Sequence, residues 1–254
     1  MLRYIGLATL FFFAPVGSFA EQIPRGLRCV FQSYPGHFSL MERNILRWKD
    51  GTEMLFDDGR VKSFAMRLQA PDLEDQVSIP YRPGKSYVVP TINFDPGRIR
   101  YEPFFLKMYG SSPNHVKAKL APVYWLPETQ RRKIWITSIN GVDKKLQSIS
   151  NELDRLSPLL KKYVSKISGT FTWRNIRGTT RLSPHSFGIA VDINADLSHY
   201  WMDHGRLPGN HRIHDHNVPM EIAEIFEKNS FIWGGKWYHY DTMHFEYRPE
   251  LFCR

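Results

Sequence analysis

Two short segments of the chain combine a strand pattern with side chains that can bind a metal ion. The first, residues 183–192, reads SPHSFGIAVD, and the second, residues 241–246, reads DTMHFE. Residues 188–194 and 243–247 alternate between the two faces expected of a half-buried strand. Both segments are therefore expected to lie in a sheet that has one face on the core and the other face available for polar groups.

The polar positions of these segments supply the parts of a zinc site. His185, Asp192 and His244 offer imidazole nitrogens and a carboxylate, which bind zinc at roughly 2.0–2.2 Å. Cysteine cannot supply the ligand set, because the chain has only 2 cysteines. Asp241 precedes His244 by three residues and is a candidate base for a metal-activated water. Glu246 is predicted to share the face of His244 and to orient it through a hydrogen bond.

The order Ser-x-His-x-x-Gly-x-Ala-x-Asp followed by Asp-x-Met-His-Phe-Glu resembles the D-alanyl-D-alanine carboxypeptidase family of zinc peptidases. This family includes vancomycin-resistance carboxypeptidases and dipeptidases, and L-alanyl-D-glutamate endopeptidases of phage endolysins. The resemblance covers approximately residues 170–251, and every motif position is filled. It implies one Zn²⁺ on His185, Asp192 and His244, with Asp241 as the catalytic base.

The resemblance also implies a substrate-binding arginine upstream of the first histidine. Arg174 is the best match for this residue, which binds the substrate carbonyl or carboxylate, and Arg177 is the alternative. Ser183 matches a position that helps to hold the substrate backbone. Trp237 is a candidate lining residue of the substrate groove, although aromatic residues in such positions are more often packing residues.

These features predict an exported zinc metallopeptidase that hydrolyses the stem peptide of peptidoglycan. Hydrolysis at a metal follows from the residues, and the substrate class follows from the resemblance. D-alanyl-D-alanine carboxypeptidase and L-alanyl-D-glutamate endopeptidase activities both remain open. The alternative is a non-catalytic, zinc-stabilised cell-wall-binding module, since the scaffold also resembles hedgehog-type signalling domains. Asp241 and Arg174 favour the enzyme, because a structural site needs neither.

Residues 1–20 have the build of a secretory signal peptide: an early cation, an apolar run and Ser-Phe-Ala before Glu21. A membrane anchor is the alternative, but its apolar run is shorter than the roughly 20 residues that a span needs. We expect a periplasmic or extracellular protein with no transmembrane span in the mature chain. The net charge of +9 suits an anionic partner such as cell-wall polymer. Nucleic acid is not predicted, because Lys and Arg are scattered and no recognised motif is present.

The predicted fold class is α+β, with a small antiparallel sheet that carries the zinc site, packed against helices, and an irregular N-terminal lobe. Residues 21–130 are predicted to be irregular and β-rich, with no assigned role, and residues 131–254 to form the peptidase domain of a monomer. Val142, Leu146, Ile149 and Leu153 recur at helical spacing, and the helix is expected to end or kink before Pro158.

Four smaller features complete the expectations. Residues 169–174 are predicted to be a strand that carries Arg174 to the site. The pair Gly234 and Gly235 is expected to permit a close backbone approach or a bulge. Cys29 and Cys253 are predicted to form a disulfide in an oxidising compartment, with two buried free thiols as the alternative. The histidine-rich segment 199–216 is interpreted as a loop or substrate rim, and less readily as a second metal site.

Overall fold

The computed structural model describes residues 22–85, 88–203 and 218–253. The predicted signal peptide lies outside these described residues. The α-helices are α1 Arg25–Ser33, α2 Phe64–Gln69, α3 Leu73–Val77, α4 Glu102–Tyr109, α5 Pro113–Lys117, α6 Val142–Leu153, α7 Pro158–Lys161 and α8 Met220–Glu227. The strands are β1 Phe38–Glu42, β2 Ile45–Trp48, β3 Glu53–Leu55, β4 Leu120–Trp125, β5 Arg132–Thr137, β6 Ile167–Gly169, β7 Ala190–Ile193, β8 Phe231–Trp233 and β9 His244–Tyr247.

The strands of the described residues form three antiparallel sheets. The first contains β1, β2 and β3, the second pairs β4 with β5, and the third has the order β6-β7-β9-β8. The third sheet contains both predicted strand segments, and they lie next to each other at its centre. Helices and antiparallel sheets together confirm the predicted α+β class.

Helix α6 confirms the prediction from the apolar spacing. Its four stripe residues are fully buried against the sheets, and the helix ends at Leu153, before the proline of α7. Asp154, the next residue, accepts hydrogen bonds from the backbone N–H of Glu128 and from the Thr129 hydroxyl, both at 2.6 Å. These bonds connect the end of the helix to the loop between β4 and β5.

The N-terminal part of the chain packs on the same hydrophobic core as the sheet that carries the site. One cluster of buried residues includes Phe104 of α4, Trp125 of β4, Leu146 of α6 and Phe245 of β9. Strands β4 and β5 pair across the predicted boundary at residue 130. The irregular segment between α3 and α4 also contacts the third sheet, where the Arg100 guanidinium donates to Glu246 of β9.

A disulfide joins Cys29 in α1 to Cys253, which follows β9. This confirms the disulfide predicted from the sequence, so the alternative of two free thiols is wrong. Among the described helices, none has the length and apolar character that a bilayer span requires.

Candidate active site

The three candidate metal ligands come together on two neighbouring strands and the turn that precedes them. Asp192 on β7 and His244 on β9 are direct partners in the antiparallel ladder, so their side chains leave the sheet on the same face. Asp192 Oδ1 lies 3.0 Å from His244 Nδ1, and Asp192 Oδ2 lies 3.1 Å from His185 Nε2. The ligand atoms of all three lie within 4.8 Å of one another, as a shared metal ion would require.

His185 is held by a short turn of 3₁₀ helix, Pro184–Phe187. The Ser183 Oγ accepts a hydrogen bond from the His185 N–H at 3.4 Å, which caps the start of the turn. Gly188 ends it with a φ of +64°, and a Cβ there would lie 2.9 Å from Leu120 Cδ2. A side chain at this position would therefore displace the turn that returns the chain to β7.

The ring orientation of His185 leaves one nitrogen for a metal. Its Nδ1 lies 2.6 Å from the Thr170 carbonyl oxygen, which can only accept, so Nδ1 carries a proton. In the neutral ring, Nε2 then presents a lone pair toward Asp192. This nitrogen is buried and has no hydrogen-bond partner among the described residues. A carbonyl that fixes the tautomer of a histidine is a common arrangement at metal centres.

His244 lies between two carboxylates. Its Nε2 is 3.4 Å from Glu246 Oε2, on the face predicted from the sequence. The Arg100 guanidinium donates to both oxygens of Glu246, at 2.9 and 2.5 Å, and Arg248 Nη1 lies 3.3 Å from Oε1. If Glu246 accepts from Nε2–H, the Nδ1 of His244 presents its lone pair toward Asp192. His185, Asp192 and His244 therefore fit a divalent metal ion of the zinc type.

The charges of this cluster perturb one another strongly. Burial alone would raise the pKa of Asp192, but His185 and His244 hold it well below its usual range. Burial alone would lower the pKa of His244, yet hydrogen bonds with Asp192 and Glu246 raise it to about 10. Without a metal, the cluster therefore favours a proton on His244. A metal ion would replace that proton, because ligation requires the unprotonated nitrogen.

Asp241 lies at the turn before β9, beside the candidate ligands. Burial raises its pKa to about 6; the positive charges of His244 and His185 oppose this shift, and the negative charge of Asp192 adds to it. The Asp241 Oδ1 is buried without a hydrogen-bond partner among the described residues. A carboxyl group that titrates near neutrality can both accept and release a proton, as a general base requires.

The backbone fixes the position of Asp241 through the glycine pair of residues 234 and 235. The Asp241 N–H donates to the Gly234 carbonyl at 3.0 Å. A Cβ at Gly234 would lie 2.5 Å from the Asp241 carbonyl oxygen, and one at Gly235 would lie 2.2 Å from the Trp233 ring. The predicted close backbone approach is confirmed.

The segment that carries Arg174 differs from its prediction. Strand β6 ends at Gly169, so the prediction of a strand through residue 174 is wrong. Thr172 N–H instead donates to the His185 carbonyl at 3.2 Å, and Arg174 N–H donates to Ser186 Oγ at 3.0 Å. The segment follows the 3₁₀ turn because these bonds replace pairing with β7. Arg174 is exposed and lines the cleft above the candidate ligands.

The cleft has a volume of about 290 Å³, and each predicted site residue except Glu246 lines it. Ser183 is buried, and its backbone N–H donates to the Arg174 carbonyl at 2.9 Å. Trp237 is also largely buried; its Nε1 donates to the Pro96 carbonyl at 2.6 Å, and its ring centroid is 5.7 Å from that of His244. Trp237 therefore packs beside a candidate ligand, and its predicted contact with substrate remains a prediction.

Sequence reasoning missed the contribution of the N-terminal region to the cleft. Arg98 and Arg100 line it from the segment before α4. From the same segment, Asp95 binds His239, with Oδ2 lying 2.5 Å from Nδ1. The alternation of arginines in Arg98-Ile-Arg100 was a possible signal that both side chains face one side. Their destination could not be predicted, because Glu246 is 146 residues away from Arg100.

Within the described residues, the histidine-rich segment adds no ligand to the site. His199 lies within the described residues, and its backbone N–H donates to Thr242 Oγ1 at 2.7 Å. The other four histidines, at positions 204, 211, 214 and 216, lie outside the described residues. The interpretation of this segment as a loop or substrate rim therefore stays a prediction.

A small antiparallel sheet presents two histidines and an aspartate, and a buried carboxyl group lies beside them. This combination is typical of the sites of metal-dependent hydrolases. Residues 177–247 match the family model described as D-alanyl-D-alanine carboxypeptidase. This match confirms the resemblance to that family and supports a peptidase of its type. It includes all three candidate ligands and Asp241, whereas Arg174 lies just before it. A search of curated proteins gave no match, and a search of solved structures gave none either.

Proposed function

We propose that this protein is an exported zinc peptidase that hydrolyses an amide bond in the stem peptide of peptidoglycan. One observation carries the proposal: Asp192 lies within 3.1 Å of two imidazole nitrogens in a cleft that also contains the perturbed carboxyl of Asp241. The family match supports the peptidase class. The disulfide fits the oxidising compartments that lie outside the cytosol, which supports export to the periplasm or beyond.

His185, Asp192 and His244 would hold the zinc ion. When bound, zinc lowers the pKa of a coordinated water to around 7 and polarises a carbonyl oxygen. Thr170 and Glu246 keep the two imidazoles in the tautomers that ligation needs, through His185 Nδ1 and His244 Nε2. Glu246 stays ionised, because Arg100, His244 and Arg248 hold its pKa well below the usual range, although burial alone would raise it. His244 is therefore oriented by Glu246, which is bound in turn by Arg100 of the N-terminal region.

Asp241 would move the proton of the reaction. Its unpartnered Oδ1 accepts the proton of the attacking water and later donates it to the nitrogen of the leaving amine. General acid–base catalysis of this kind contributes typically 10²–10⁴-fold. Arg174, which carries no acidic partner among the described residues, would bind the negative charge that develops on the scissile carbonyl oxygen.

The test is incubation of the purified protein with defined stem peptides, followed by mass spectrometry of the products. We expect cleavage that stops with a chelator and returns with zinc. Zinc-dependent binding without a product would instead support the non-catalytic wall-binding module.

The variant Asp241→Asn separates chemistry from metal binding. It should retain zinc and lose at least about 100-fold of turnover, because Asn cannot accept the proton. The control is Asp203→Asn, which alters another carboxylate at the cleft, one that is paired with Arg177 at 2.8 Å. Full activity of Asp241→Asn would remove this residue from the role of base.

A further inference from the structure

The candidate cleft contains an arginine, Arg181, that the zinc chemistry described above does not use. It is carried by an irregular hairpin in which Asn175 pairs with Leu182 and Ile176 N–H donates to the Arg181 carbonyl at 2.9 Å. Because alternate residues of such a hairpin point to one side, Arg181 shares a face with Arg174. Both arginines line the cleft.

Other arginines of the cleft have acidic partners. Arg98 binds Asp95 at 2.8 Å, and Arg177 binds Asp203 at 2.8 Å. Arg100 donates to both oxygens of Glu246, as described above. These guanidinium groups are already neutralised by the protein.

Arg181 differs from them. Its side chain makes no hydrogen bond and no ion pair with any of the described residues, and it is half-buried. Burial lowers its pKa to about 10, the nearby Arg100 and Arg98 add to this effect, and Tyr200 and Glu102 partly oppose it. The group still carries its charge at neutral pH, and two other arginines lie near it. An anionic ligand would offset both the energetic cost of burying the Arg181 charge and its repulsion by the other arginines.

The proposed reaction involves two negative groups. One is the oxyanion that develops at the scissile carbonyl, for which Arg174 is the candidate partner. The other is a carboxylate on the residue whose amine leaves. In a terminal D-alanine, and in a D-glutamate linked onward through its side chain, the α-carboxylate lies next to the scissile nitrogen. Two guanidinium groups on one hairpin, neither of which has an acidic partner among the described residues, match this pair of charges.

We propose that Arg181 binds the free α-carboxylate of the substrate residue on the leaving-amine side of the scissile bond. This inference rests on the proposed peptidase function and deepens it. A guanidinium can bind a carboxylate with two parallel hydrogen bonds, which a lysine cannot reproduce. The site therefore selects substrates in which this carboxylate is free and rejects those in which it is amidated.

Two matched pairs of peptides test the proposal with the zinc-loaded enzyme. One pair ends in D-alanyl-D-alanine with a free or an amidated C-terminus. The other contains L-alanyl-γ-D-glutamate with a free or an amidated α-carboxyl group. Whichever pair the enzyme cleaves identifies the source of the carboxylate. For that pair, we expect the free acid to have a kcat/KM roughly ten- to a hundredfold higher than the amide.

Arg181→Gln should lower kcat/KM for the acid roughly tenfold or more, mainly through KM, and leave the amide unchanged, so that the preference disappears. Arg181→Lys should retain part of the preference and serves as the second variant if the glutamine form folds poorly. Arg47→Gln removes an arginine that is exposed and paired with Glu53 outside the cleft, and should behave as the wild type. Zinc content and Tm report on folding in each case.

The outcomes separate the two proposals. If the wild type cleaves neither pair, the proposed function fails. If it cleaves one pair and Arg181→Gln keeps the wild-type ratio between acid and amide, the peptidase stands and the assignment of Arg181 is overturned. Equal loss on acid and amide has the same meaning, because it shows a role that does not depend on the carboxylate.

Discussion

Two regions of this protein bring carboxylates together, yet the negative charge is neutralised in different ways. In the N-terminal region, Asp58, Asp72 and Asp75 surround the Lys62 ammonium, whose Nζ lies 2.9, 2.9 and 2.7 Å from them. The Lys62 side chain is only 3% exposed. The protein thus supplies its own cation to this cluster, and the capping box at α3 holds Asp72 and Asp75 in place.

In the cleft, no lysine or arginine nitrogen of the described residues lies within ion-pair distance of Asp192, although its two oxygens face two imidazoles. The cleft site instead leaves one imidazole nitrogen and one carboxylate oxygen, on His185 and Asp241, without a hydrogen bond among the described residues. The comparison shows how to separate a structural acidic cluster from a metal centre. In the first, a lysine already supplies the cation; in the second, ligand atoms converge and no lysine or arginine of the described residues pairs with Asp192.

The largest expected effect that sharpens this comparison is on metal content. His185→Ala should lower zinc affinity more than about 100-fold. Removing a group that only orients a ligand costs up to about 100-fold, and removing the ligand itself should cost at least as much. Asp58→Asn, in the cluster filled by Lys62, should leave one zinc per chain. Elemental analysis and calorimetry give both numbers. Equal loss of zinc in the two variants would show that the acidic cluster binds metal as well.

The next effect is on stability. Lys62→Met should lower the free energy of unfolding by about 2–4 kcal/mol, because three carboxylates are left without their buried cation. The control is Lys228→Met, which breaks an exposed pair with Glu152 and should cost less than about 1 kcal/mol. Urea denaturation measures both. Similar small losses in the two variants would mean that the buried cluster is no stronger than a surface pair.

The smallest effect is a difference in the response to pH, measured on the metal-free protein. The pKa of Asp241 is raised to about 6, so the folded state binds its proton more tightly than the unfolded state does. Stability should therefore fall as pH rises from about 4 to about 6. Asp241→Asn lacks this titration, so above pH 6 its free energy of unfolding should exceed that of the wild type by about 1–2 kcal/mol.

Asp72 should respond with the opposite sign, because hydrogen bonds and Lys62 outweigh its burial and lower its pKa. Its contribution is present above the unfolded pKa of about 3.9 and is lost as pH falls through the folded value. Denaturation curves from pH 3 to pH 8 in the presence of a chelator test both statements. A constant difference between Asp241→Asn and the wild type at every pH would contradict the Asp241 assignment.

The sequence predicts those parts of the fold that depend on local periodicity. The stripe from Val142 to Leu153 predicts α6, and the alternation around Asp192 and His244 predicts β7 and β9. It also predicts that the polar faces of these strands carry the ligands, because a period of two fixes which residues share a face. The direct pairing of Asp192 with His244 then follows from the sheet order, which the structure supplies.

The remaining features depend on contacts between residues distant in the chain. Arg100 reaches Glu246, and Asp95 reaches His239, only because the segment before α4 folds over the third sheet. The strand predicted through Arg174 is absent because Ser186 and the His185 carbonyl take the hydrogen bonds of that segment. No local pattern encodes such competition between partners.

The bond between Cys29 and Cys253 links residues 224 positions apart. In the chain-entropy view, closing a ring of this size removes about 5 kcal/mol of freedom from the unfolded state. That amount is comparable to the whole net stability of many domains, about 5–15 kcal/mol. Under the proposed export, a chain that is still reduced in the cytosol would lack this contribution and would be easier to keep unfolded for translocation. Formation of the bond after export would then stabilise the folded state.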